Sequence, residues 1–142
     1  MTVTTLEALR DAIRATPAKG QYMAPVNEAF ARLVLGYTDT HVFLVSGWMG
    51  IPPGGDKFVN DVDFLDRLAG PGALFAAARE RWPDCDISLG RSKRSPLFVK
   101  YEHWGAVETD PDESTQFCEH PLLCHALALA MVEAAIQERD NA

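Results

Sequence analysis

The last helix of this chain limits its architecture more than any other segment. From Pro121 to about Arg139, Leu122, Leu123, Ala126, Leu127, Leu129, Ala130, Met131, Val132 and Ile136 cover most of the helical circumference. A surface helix needs one apolar stripe, whereas a helix apolar on most sides must be covered from several directions. The run from Pro121 to Ile136 is interrupted by His125 and Glu133. It is shorter than the ~18 apolar residues a membrane-spanning helix requires. It therefore predicts a helix packed across a sheet and enclosed by further elements.

The rest of the chain supplies those elements. Thr4-x-x-Glu7 reads as a capping box, followed by Leu6, Leu9 and Ile13 at helical spacing and closed by Pro17 and Gly20. This first helix either docks on the body or hangs as an arm. A second helix is expected from Pro25 to Leu35, with Ala29, Phe30, Leu33 and Val34 as its apolar stripe and Gly36 as its stop. The run Val42-Phe-Leu-Val45 within His41–Ser46 predicts a strand buried on both faces.

Gly47–Lys57, GWMGIPPGGDK, reads as a loop, because Pro52-Pro53 and Gly54-Gly55 suit neither helix nor strand. Its Trp48, Met49 and Ile51 must then fold back on the core or face a partner. Phe58–Leu68 reads as a helical turn with a packed side, and Pro71–Trp82 as a helix burying Leu74, Phe75, Ala78 and Trp82 before Pro83 ends it. Asp86–Gly90 and Leu97–Trp104 alternate in polarity and predict a hairpin whose tip carries Arg91, Lys93 and Arg94. Ala106–Thr109 is a candidate further strand, and Asp110–Gln116 a polar loop. The expected fold is α+β: a three-layer α-β-α sandwich around a small, mainly antiparallel sheet of three to four strands. Residues 1–20 form the helix or arm, and 21–142 a single domain.

Composition narrows the function classes. Lys and Arg number 13 against 20 Asp and Glu, for a net charge of −7, which argues against general nucleic-acid binding through a basic face. The 3 cysteines, Cys85, Cys118 and Cys124, cannot all pair within one chain. With no secretory leader or membrane span in view, the expectation is a cytoplasmic protein with reduced thiols.

Within Asn27–Ile136 a set of features resembles a known family. These are the helix ending Ala31-Arg-Leu-Val-Leu-Gly-Tyr37, then Trp48 followed by Pro52-Pro-Gly-Gly55, and the helix Ala73–Trp82 leading into a hairpin. The closing helix, which starts Leu122-Leu-Cys-His-Ala-Leu-Ala-Leu-Ala130, completes the set. In these the chain is similar to the phage ABA-sandwich domain family of small bacteriophage proteins. The resemblance implies an α-β-α sandwich and an origin in a phage or prophage, and it implies no activity and no catalytic residues. The first helix and Phe58–Gly70 depart from that pattern.

The remaining candidates are side-chain clusters. Cys118, His120, Cys124 and His125 place four potential metal ligands within eight residues, with His103 or Cys85 as a further donor. Against a zinc site, no C-x-x-C knuckle is present, and Cys124 suits an apolar helix as a small hydrophobe. Glu108, Asp110, Asp112 and Glu113 lack the spacing of a calcium loop and read as a solvated acidic turn. Ser46 has no nucleophile-elbow glycine before it, and no G-K-[ST] follows the glycines at 50, 54 and 55. His41 reads as a strand-edge residue. No catalytic residue and no cofactor are expected.

The expected role is binding of a macromolecular partner, a protein such as one of the host. The surfaces proposed for it are Trp48, Met49 and Ile51, and the basic residues Arg91, Lys93 and Arg94. The alternatives are a small zinc-dependent or hydrolytic enzyme using Cys118–His125, and a homo-oligomeric module paired through a sheet edge or the first helix.

Overall fold

The computed structural model describes residues 3–15, 24–43, 47–65, 72–83, 89–91, 104–107, 117–120 and 123–142. In chain order they form α1 (Leu6–Arg14), α2 (Ala24–Phe30) continued by a π-helical turn (Ala31–Leu35), β1 (Thr38–Phe43), β2 (Gly47–Ile51) and β3 (Val59–Asn60). Next come α3 (Gly72–Arg81), β4 (Leu89–Arg91), β5 (Trp104–Val107), β6 (Phe117–His120) and α4 (Leu123–Asp140). The fold mixes helix and strand, and every strand pair among the described residues is antiparallel.

The closing helix behaves as its sequence demands. Cys124 through Val132 are buried without a break. α4 packs against α1 and α3 and across β5 and β6. Its interrupting acid, Glu133, meets Arg10 of α1 at 3.1 Å, so the charge that breaks the apolar run is paired at the helix interface. α1 is docked: Leu9 and Ile13 are fully buried and Leu6 nearly so. The residue that caps it is Thr5, not Thr4. Thr5 is extended and its hydroxyl accepts the Ala8 amide at 3.1 Å. No capping box forms, because with Thr5 as the cap the third helical residue is Ala8; the Glu7 carboxylate meets Arg139 of α4, with contacts of 2.9 and 2.6 Å.

α2 buries a polar pair along with its apolar face. Asn27 is fully enclosed; its amide donates to Asp63 at 3.1 Å and its carbonyl accepts the Phe64 amide at 2.8 Å. Glu28 receives Arg32 at 2.7 Å and the Thr40 hydroxyl at 2.6 Å. Burial pushes the Glu28 carboxyl up, but these donors outweigh it and hold it below its ordinary value. The α-helical pattern loosens to a π turn at Ala31–Leu35 and ends at Gly36.

The strands depart from expectation in several respects. They form two three-stranded sheets, β1-β2-β3 and β4-β5-β6, rather than one sheet of three to four, and no described strand belongs to both. β1 is not buried on both faces: it lies at an edge, and Val42 and Phe43 are exposed (Leu44 and Val45 lie outside the described residues). Gly47–Ile51 is the central strand β2 and not a loop, because burying Trp48 on the inner face outweighs the weak strand propensity of its glycines. The Pro-Gly signal acts only beyond it, where the Gly55 amide closes a turn on the Pro52 carbonyl at 3.0 Å. Gly54 stands in that turn at φ +74, a position that favours glycine after proline.

Phe58–Leu65 is extended and then turned, rather than helical through Leu65, since its backbone pairs with β2 at Val59 and Asn60. The basic hairpin also differs. β4 pairs with 104–107 rather than with 97–104, and Arg91 stands opposite Trp104 in the ladder pair next to the connecting residues 92–103, which lie outside the described residues. Lys93 and Arg94 lie outside the described residues. A further strand, β6, pairs with β5, so Cys118 and His120 belong to a strand.

Candidate functional site

Two surface features arise from the way the first sheet is built. Residues opposite one another in an antiparallel pair share a face, and alternate residues change face. Val42 opposes Trp48, and His41 opposes Met49. Trp48 and Gly50 turn inward to α2, whose helix covers that face. His41, Phe43, Met49 and Ile51 therefore point outward, as does Asn60, which opposes Met49. Phe58 falls on the same side as Asn60 by the two-residue period.

This outer face is apolar where an open sheet face is ordinarily polar. Phe43 and Phe58, 51% and 47% exposed, are its exposed large hydrophobic residues among those described, while Val42, 44% exposed, lies on the Trp48 side at the sheet's edge. Met49 and Ile51 are half-buried beside them.

The second feature is a groove of about 390 Å³ at the end of the same sheet. Leu35 and Tyr37, leaving the π turn, form one wall; Pro52, Pro53 and Gly54 form the rim; Ala77, Glu80 and Arg81 of α3 form the other wall. Tyr37 is held edge-on to Trp48 at 5.7 Å and to Phe64 at 6.3 Å. Burial, and secondarily the Glu80 carboxylate, push its phenol up.

The charges of the groove are unevenly matched. Arg81 pairs with Glu138 at 2.6 Å and lies 5.0 Å from the centre of the Trp82 ring. Glu138 also accepts the Trp82 indole N–H at 2.6 Å. Burial raises the Glu138 carboxyl, but these two donors prevail and leave it below its ordinary value. Glu80 is exposed and has no ion-pair partner among the described residues.

The residues proposed from sequence are thus dispersed. Trp48 is fully buried and donates its indole N–H to the Val62 carbonyl at 3.0 Å, so it is not an exposed contact residue; of the two fates open to it, folding back prevails. Met49 and Ile51 reach the outer face. Arg91 lies on the other sheet. Cys124 and His125 are buried at the start of α4, while the backbone of Cys118 and His120 runs in β6. Cys85, His103 and the acidic residues 108–113 lie outside the described residues.

Among the described residues no group of three or more His, Cys, Asp or Glu converges to hold a metal, and no helix is long and apolar enough to cross a membrane. Phe43 and Phe58 escaped the sequence reading because their apolar neighbours disguised them as core. Tyr37 and Glu80 carried no signal beyond the Gly36-Tyr37 step. Comparison of the chain with protein-family models, curated proteins and solved structures finds no match.

Proposed function

We propose that this chain is a non-enzymatic accessory protein of a phage or prophage that acts by binding a protein partner through the outer face of β1-β2-β3. The observation that carries the reading is the exposure of Phe43 and Phe58 beside half-buried Met49 and Ile51 on one open sheet face. Apolar side chains gathered in this way lose water favourably when another surface covers them. The phage origin rests on the resemblance of Asn27–Ile136 to the ABA-sandwich family. In an α-β-α sandwich a helical layer would lie on each face of the sheet. Here α2 covers the inner face, and the partner supplies the cover of the outer one.

A second reading is favoured by β1 itself. An edge strand presents unpaired backbone donors and acceptors to which an identical strand can add, making the partner another copy.

Photo-crosslinking tests both readings. A benzophenone amino acid replaces Phe43 or, as control, the exposed Arg14 of α1, in cells of the bacterium that carries the gene. A discrete heavier adduct from position 43 alone supports partner binding, and an adduct of two copies supports the second reading. No adduct from position 43, or the same adducts from both positions, overturns the assignment of this face.

A further inference from the structure

We infer that the groove between the Pro52–Gly54 turn and α3 is a small-molecule site for an organic ammonium ion on a short apolar body, its charge facing Glu80 and its body lying against Tyr37 and Pro53. The site is separate from the sheet face assigned to a protein partner and stands or falls without it.

Size is the first argument. About 390 Å³ lies within the ~300–1,000 Å³ range of small-ligand pockets. A protein interface instead spreads over roughly 800 Å² on each partner. Chemistry is the second. Leu35, Pro52, Pro53 and Ala77 offer apolar walls with few donors, so the bulk of a ligand is held by exclusion of water.

The third argument is charge complementarity, and it selects the sign. Among the described residues the groove has one cation, Arg81, and its guanidinium is already taken by Glu138 and stacked on Trp82. Glu80 has no such partner among the described residues, which leaves a carboxylate at the mouth of an apolar groove. Tyr37 places an aromatic ring in the same wall, and a ring face attracts a cation by its quadrupole. The whole chain, at net −7, adds a field that draws cations and repels anions. An anion entering the groove would meet Glu80 with no free guanidinium to offset it.

The test is titration of the ¹⁵N-labelled full chain with phenethylammonium, and separately with 3-phenylpropionate, an anion of nearly the same shape. The expected result is saturable shifts at Tyr37, Gly54, Ala77 and Glu80 with the ammonium, and at least tenfold weaker binding of the carboxylate. Glu80→Gln should weaken the ammonium by about three- to fivefold, the size of a partly exposed charge pair. Because Glu80 lies on the surface, the variant is checked by its unchanged spectrum outside the groove. Absence of saturable binding, equal binding of the carboxylate, or an unchanged affinity in Glu80→Gln each overturns the proposal.

Discussion

Gly50 occupies a tightly packed position in the first sheet. A methyl group there would stand 2.8 Å from the Thr40 Cγ2 and 3.2 Å from the Trp48 ring. Neither neighbour can retreat: Trp48 is tied by its indole to Val62, and Thr40 donates its hydroxyl to Glu28. Gly50→Ala should therefore destabilise the fold by about 1–3 kcal/mol, the usual cost of overpacking a filled core. Urea unfolding gives the value, and a change within ~0.5 kcal/mol, as at an ordinary surface site, would show that the sheet is not packed as described. The position also explains why Trp48 resists use as a contact residue. Its ring is the inner cover of Gly50, and Tyr37 and Phe64 close around it.

Between elements, the clasp of Glu7 on Arg139 joins the first and last helices. The guanidinium hydrogen bonds hold the Glu7 carboxyl at about 2, against an ordinary 4.5. A carboxyl whose folded value is depressed stabilises the fold above its unfolded value and loses that contribution as pH falls toward the folded one. The clasp should act fully above about pH 4.5 and fade as pH falls from there toward 2. Both side chains are more than 40% exposed, at 42% and 47%, so water and salt screen the pair and its effect is small. The melting temperature of Glu7→Gln should fall slightly below that of the parent at pH 7. The gap should narrow steadily below pH 4.5, and narrow also in 1 M salt. A gap independent of pH would mean that the carboxylate is not the source of the difference.

At the scale of the whole molecule, α1 is a structural part of the core and not an appendage. Leu9 is fully buried among residues that include the α4 face, and α1 packs on both α2 and α4. Leu9→Ala should cost about 2–5 kcal/mol and leave one cooperative unfolding transition. A loss below ~0.5 kcal/mol, or a separate early transition, would restore the picture of an arm.

The features readable along the chain are those set by neighbours three or four residues apart. The apolar circumference of α4, the Leu6-Leu9-Ile13 stripe and the Leu74-Ala78 face of α3 announce burial, because helical periodicity is local. Strand order and sheet faces have no such record. Val42-Phe43 reads as core, yet it lies at an edge because β2 pairs with β1 on one side and β3 on the other. The same holds for the groove. Its walls come from segments about forty residues apart in the chain, which only the folded molecule brings together. Local patterning settles which residues must leave water; the long-range pairing of strands and helices settles which of them run out of cover and remain at the surface.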